Sequence, residues 1–229
     1  MQHPTLTHHI QLEILRTMLS QPVVRYSRLK PKLLEANLFM YHLKFLIKED
    51  LVEKVEGGYA LTRRGKQFTD RASLESMRIP VQPKVVVTLA LQREGDGHWL
   101  LLKRKHQPFL DYKGFPSGKV QFGESLADAA ARELHEKSGL TGIDLQLQGN
   151  MIVHFTDGNE PVNHVIGYVF GGVIPEGILI DFDQEYHHCY IGPESEFYES
   201  PGFKGHQQIL QWIKRGELFI EEIEFTSDF

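Results

Sequence analysis

The run GKVQFGESLADAAARELHEKSGL, Gly118–Leu140, constrains the fold more than any other part of the chain. It opens on a glycine, places Glu124 six residues later, and continues through Arg132-Glu133-Leu134-His135-Glu136-Lys137 to Gly139-Leu140. Ala127, Ala129, Ala130 and Ala131 favour helix and close packing, and Leu126 and Leu134 anchor the opposite side. The pattern predicts a helix over Ser125–Lys137 that Gly139 stops. On that helix Glu133 and Glu136 lie at i and i+3, with position 137 on the same face. Two carboxylates on one rigid face, beside a glycine-bearing loop with an accessible carbonyl, make a hard-oxygen site suited to Mg²⁺ or Mn²⁺.

The charge of the chain divides unevenly around this segment. Met1–Pro80 carries 13 basic and 8 acidic residues, a balance of +5, and Val81–Phe229 carries 12 and 22, a balance of −10. A basic first third joined to an acidic remainder suggests two units with different partners. At 41% hydrophobic and 24% charged residues, the composition is that of a soluble globular protein and excludes wholesale disorder. A single cysteine, Cys189, excludes a disulfide framework or a thiolate zinc site within one chain. The N-terminus lacks a basic region followed by an apolar core, and Val165–Pro175 is too short to span a bilayer. No membrane partner and a reducing, cytoplasmic setting are expected.

Apolar residues at Ile10, Leu12, Ile14, Leu15, Met18 and Leu19 predict a helix from His9 to Ser20. A short second helix fits Ser27–Leu34 with Ser27 as cap, although Pro31 shortens or strains it. A third fits Ala36–Glu49, with Leu38, Phe39, Leu43, Leu46 and Ile47 facing inward. Leu51–Val55 and Gly58–Thr62 alternate around Glu56-Gly57-Gly58 as a hairpin. Ser73–Pro83 reads as a linker. Beyond it, strands are expected at Val85–Leu91, His98–Lys103, Leu145–Phe155 and Asn163–Val173, with loop and short strand over Phe109–Gly123 and a helix over Lys204–Lys214.

The words NLFMYHLKFLIKEDLVEKVEGGYALTRRGKQF resemble the winged-helix family over His8–Ala72, and Gly118–Leu140 resembles the Nudix box, G-x5-E-x7-R-E-U-x-E-E-x-G-U. Gly118, Glu124, Arg132, Glu133, Leu134, Glu136, Gly139 and Leu140 match the box, and Phe115-Pro116-Ser117 resembles its usual lead-in. The resemblance covers about Lys84–Ile213. Together they imply an α/β two-domain protein: residues 1–72 a winged helix-turn-helix (α+β), 73–83 a linker, and 84–229 a Nudix-like α/β/α sandwich with a mixed sheet.

What the Nudix resemblance implies is hydrolysis of a nucleoside diphosphate derivative with Mg²⁺ or Mn²⁺. Glu133 would activate water or bind the metal, with Arg132 orienting it as the second catalytic residue. Gly118, Glu124, Glu133 and Glu136 would form the metal set, joined by a late-loop acid among Glu185, Glu194, Glu196 and Glu199. One position departs: Lys137 stands where the family has a second glutamate. An ammonium there weakens the cation site, because affinity follows ligand charge and count, or it grips phosphate in the cation's place. The second outcome is a transcription regulator that binds a nucleotide effector without hydrolysis. Neither the proline typical of ADP-ribose enzymes, replaced by Thr156, nor the signature of NADH-cleaving members is present, so the substrate stays open.

Arg25, Arg28, Lys30, Lys32, Lys44, Arg63 and Arg64 form the candidate phosphate-contacting surface for double-stranded DNA, or else a dimerisation surface in a homodimer. Of Tyr41 and His42, both able in principle to reach base edges, Tyr41 is expected to be half-buried packing. His187-His188-Cys189 reads as a loop with incidental histidines, and His206, Ile209, Leu210, Trp212 and Ile213 as a core stripe. The acidic tail from Glu217 carries Leu218, Phe219, Ile220, Ile223 and Phe225, too apolar for a free tail. It is expected to dock on another domain or subunit.

Overall fold

The structure, a computed structural model, describes residues 6, 8–73, 75–199, 201–216 and 218–226. Leu74 and Glu217, which the sequence places in the linker and the tail, lie outside them, as does the side chain of Phe225. The chain forms two compact units, Met1–Val81 and Gln82–Phe229.

The first unit runs α1 (His9–Met18), α2 (Tyr26–Leu29), α3 (Ala36–Lys48), β1 (Val52–Val55), β2 (Gly58–Leu61) and α4 (Arg63–Arg71). Ile10, Ile14, Leu15 and Met18 of α1 are buried against Phe39, Leu43 and Leu46 of α3 in one core. β1 and β2 pair antiparallel around Glu56-Gly57, where Gly57 takes a positive φ of 84°. Val24 exchanges both backbone hydrogen bonds with Tyr59, so the chain before α2 extends this small sheet.

Several expectations change here. α2 ends at Leu29 and Ser27 lies inside it, not at its cap. Lys30 is extended because Pro31 clashes with a helical residue before it. Leu38 and Ile47 are exposed, and the buried stripe of α3 is Phe39, His42, Leu43 and Leu46. Tyr41, expected to be half-buried packing, is 66% exposed, and His42, left open between base contact and packing, is only 4% exposed. His42 lies face to face with His8, ring centroids 3.9 Å apart, and burial lowers its pKa first, followed by the neighbouring His8 and His9. A helix not foreseen, α4, is capped by Thr62, whose hydroxyl accepts the Gly65 N–H at 2.9 Å. The predicted linker is not wholly a spacer, since Met77 is 1% exposed within the first unit's core and Ile79 packs beside it.

The second unit comprises β3 (Lys84–Arg93), β4 (Trp99–Arg104), β5 (Lys113–Gly114), β6 (Ser117–Lys119), α5 (Leu126–Ser138), β7 (Gln146–Asp157), β8 (Glu160–Ile174), β9 (Asp181–Asp183), β10 (His187–Gly192), α6 (Lys204–Arg215) and β11 (Phe219–Thr226). A 3-10 turn, Glu194–Tyr198, precedes α6. The nine strands form one mixed sheet ordered β11-β7-β8-β3-β4-β10-β9, with β5 on β4 and β6 on β3. The β11–β7 and β3–β8 pairs are parallel and the other pairs antiparallel.

Period-2 alternation sends the two faces of β3 to different cores. Val87, Leu89 and Leu91 pack under Ala129, Ala130 and Leu134 of α5, while Ala90 joins Ile209, Leu210 and Trp212 of α6. The result is an α/β sandwich with a mixed sheet and a helix on each face.

His187-His188-Cys189 is strand, not loop. Cys189 is buried beneath α5, and burial raises its thiol to about 12. The tail docks within its own unit: β11 adds to the edge of β7, and Phe219 stacks near Trp212 with centroids 4.6 Å apart. Among the described residues no helix is long and apolar enough to cross a membrane.

Candidate active site

α5 is bounded by its own sequence. The Ser125 hydroxyl accepts the Asp128 N–H at 3.1 Å, and Gly139 closes the helix with a left-handed φ of 75°. Three carboxylates of the segment converge on Arg132. Its Nε and Nη2 donate to Glu124 at 2.7 and 2.9 Å, a bidentate fork. Its Nη1 donates to Glu133 Oε1 at 2.7 Å and to Glu136 Oε2 at 3.2 Å, and Nη2 also donates to the Lys119 carbonyl at 3.0 Å. The guanidinium among them offsets part of the repulsion between the three carboxylates, and its own pKa is raised, first by Glu124 and then by Glu133.

Glu124 therefore stands differently from the expected metal set. Both of its oxygens are taken by Arg132, and the Gln121 N–H donates to Oε2 at 2.9 Å. These bonds hold its carboxyl down at about 2. It fixes the guanidinium.

Glu133 is 5% exposed, and its Oε2 is buried with no hydrogen-bond partner. Lys137, one helical turn on, places its Nζ 4.0 Å from that oxygen. The carboxylate rests on Gly118, where no side chain intervenes. Gly118 pairs with Val87 of β3, and the flanking bonds from Leu89 N–H to Pro116 and from Val120 N–H to Val85 put it at a hydrogen-bonded position. Its carbonyl thus serves the ladder with one lone pair and keeps the second.

Among the described residues no group of three or more His, Cys, Asp or Glu side chains is gathered to hold a metal ion. The buried, unpartnered Glu133 Oε2 and the half-exposed Glu136 nevertheless fit a hard cation, since an anionic oxygen taken out of water calls for a positive partner. The fit rests on two carboxylates, Glu133 and Glu136, with Lys137 standing where the box has a further glutamate.

Of the late acids, Glu196 and Glu199 both bind Lys113, at 2.9 and 2.7 Å, and Glu196 also accepts from the Tyr190 hydroxyl. Glu194 pairs with Lys214 at 2.6 Å. Glu185 lies in the turn between β9 and β10, two strands that touch α5. The basic candidates of the first unit spread over α2, α3 and α4. Arg25, Arg28, Lys44 and Arg63 are exposed and pair with no carboxylate among the described residues.

A cavity on the opposite face of the sheet, lined by Arg104, Asn163, Phe203 and His206, was not foreseen. Its residues come from elements far apart in sequence, and only the buried His206 stood out, as core. His206 Nδ1 accepts the Phe115 N–H at 2.9 Å, and burial pushes the ring down to about 3, so it is neutral.

The NUDIX domain family matches residues 82–213, more than half of the chain. An ADP-ribose pyrophosphatase of Methanocaldococcus jannaschii is 32% identical over 108 residues, which cover 47% of this chain and 61% of that protein. An RNA pyrophosphohydrolase of Bartonella henselae is 28% identical over 98 residues, covering 43% and 54%. The chain thus spans less than two thirds of the length of either curated relative. Two solved structures resemble it in fold. A MutT protein from Bacillus halodurans has a TM-score of 0.53 at 22% identity, covering 64% of this chain and 92% of that one. The NUDIX domain of Shewanella oneidensis NrtR, complexed with ADP ribose, has a TM-score of 0.52 at 15% identity, covering 66% and 97%.

Proposed function

Because the chain belongs to the NUDIX family, we propose that its second unit is a pyrophosphohydrolase acting on a nucleoside diphosphate derivative. The observation that carries this reading is Glu133: a carboxylate buried against Gly118, anchored through Oε1 by Arg132 and left unpartnered at Oε2. The names of the two curated relatives point to the same bond, the pyrophosphate linkage. Glu133 and Glu136 would hold the divalent cation, with Glu185 the late acid best placed to join them. A bound Mg²⁺ or Mn²⁺ supplies charge neutralisation on the diphosphate oxygens and activation of a water.

The chain's own residues do the rest. Arg132 holds Glu133 in one orientation and is itself held by Glu124. Glu136, whose side chain is 52% exposed, is the carboxylate able to pass the water's proton to solvent. Lys137 places positive charge where phosphate oxygens arrive, and reduces affinity for the cation. The water attacks one phosphorus, the bridging P–O bond breaks, and the leaving phosphate carries away the bond's electron pair. A panel of nucleoside diphosphate derivatives with Mg²⁺ or Mn²⁺ tests this: turnover is expected, and binding without product across the panel would sink it.

One observation favours a second reading, a regulator that binds nucleotide without cleaving it. Lys137 Nζ already stands beside Glu133 Oε2, so a cation is less needed there. In that reading the first unit is a winged helix on DNA. Arg25, Arg28, Lys44, Arg63 and Arg64 contact phosphates, and the exposed Tyr41 of α3 reaches base edges. DNA binding that weakens steeply with salt and is lost on joint Arg63→Ala and Arg64→Ala substitution is its test. Salt-insensitive binding would contradict it.

A further inference from the structure

The cavity on the α6 face adjoins the Glu133 cluster across a single strand. Val86 and Thr88 of β3 and Ser117 of β6 form its floor, with the Thr88 and Ser117 hydroxyls 3.1 Å apart. The next residue, Gly118, faces the other way and carries the Glu133 carboxylate. The cavity holds about 180 Å³. That is below the ~300 Å³ at which whole-ligand pockets begin, so it takes one part of a ligand whose remainder runs out over β6.

Its walls say which part. Phe109, Phe155, Phe203 and Met151 make them predominantly apolar, with Phe109 and Phe203 ring centroids 5.3 Å apart. A phosphate would lose its hydration there against one cation, whereas a flat ring gains contact with the aromatic wall. Arg104 is the one cationic side chain in the lining, and burial lowers its pKa. Its Nε donates to the Pro108 carbonyl at 3.1 Å, and Nη2 lies 3.3 Å from a ring nitrogen of His106. Among the described residues it has no carboxylate partner. The Nη1 hydrogens and one on Nη2 remain as an end-on fork, which a half-buried guanidinium must satisfy with acceptors.

We propose that this cavity receives the heterocycle of the nucleotide ligand, and that Arg104 selects rings presenting two adjacent acceptors, the O6 and N7 edge of a 6-oxopurine, over adenine. The inference rests on the reading of the ligand as a nucleotide. Asn163 on β8, also in the lining, completes the polar edge against which the ring is set.

The test is calorimetric binding of GDP and ADP to the full chain, each without and with Mg²⁺. GDP is expected to bind about tenfold more tightly than ADP. Arg104→Gln and Arg104→Lys should each bring the two affinities together, because lysine keeps the charge and loses the fork. Equal binding of GDP and ADP by the unsubstituted chain, or a preference for ADP, overturns this assignment and leaves the nucleotide reading intact. A preference retained in Arg104→Lys overturns the fork even if Arg104→Gln fails to fold. Binding of neither diphosphate removes both readings.

Discussion

The carboxylate of Glu133 rests on the bare Cα of Gly118, so that a methyl group built there would stand 1.7 Å from Glu133 Cδ. Neither residue is placed by its own element alone: β6 presents the glycine, α5 presents the acid, and each excludes any larger neighbour. Gly118→Ala is therefore expected to drive Glu133 out of position at a cost of about 1–3 kcal/mol in stability. Urea unfolding and turnover measured together check this. Unchanged stability with full activity would show that the carboxylate is free to move.

The Glu124–Arg132 fork should give the second unit an acid limit. The folded carboxyl of Glu124 is depressed to about 2, chiefly by its hydrogen bonds from Arg132. A depressed acid contributes stability above its unfolded pKa, about 4.3, and loses it as pH falls toward the folded value. The contribution is present at pH 5 and fades between about pH 4 and pH 2. Thermal melts of Glu124→Gln should lie below the unsubstituted protein at pH 6 and approach it at pH 3. A constant gap across that range would count against the fork.

His206 works in a different window. Its folded ring is held neutral, down to about 3, by burial alone. The unfolded chain binds a proton below about pH 6.5, so stability falls with pH from there to about 3, by at most about 1.4 kcal/mol per unit. His206→Asn, with an oxygen available to the Phe115 N–H, should flatten that slope even if it lowers overall stability. A slope unchanged by the substitution would place its origin elsewhere.

β11 closes the sheet with an apolar anchor. Phe219 is buried, and its ring occupies the space above Gly149, where a side chain would collide with it. Phe219→Ala is expected to cost about 3–5 kcal/mol, the range for emptying a buried aromatic site. Chemical denaturation reads the change; a loss below 1 kcal/mol, roughly the scale of a surface substitution, would mean that the strand merely rests on the sheet.

The sequence and the structure agree best where signals are local. Helix α5 is legible from its alanines and Gly139, and strand β3 from the apolar run Val85–Leu91. Helix α4 is hidden because Gly65 reads as a breaker, whereas it is glycine for room: a Cβ there would stand 2.0 Å from the Leu51 carbonyl oxygen. β10 is hidden by its two histidines, which mask the burial of Cys189. At the candidate site, spacing places Glu133 and Glu136 on one face. It does not reveal that Arg132 claims Glu124, because that contact depends on how the Gln121–Glu124 turn folds back on the helix. The Arg104 cavity is assembled from β3, β4, β6, β7, β8 and α6, and no linear pattern records it.

Turnover of a nucleoside diphosphate derivative with Mg²⁺, compared among the unsubstituted chain, Glu133→Gln and Lys137→Glu, is the most direct measurement. Hydrolysis by the unsubstituted chain is expected, with a fall of at least about 100-fold in Glu133→Gln and a rise of about tenfold in Lys137→Glu, because a carboxylate at 137 adds the missing cation donor. Nucleotide binding with no product from any of the three proteins would contradict the hydrolase reading and leave the effector-binding one.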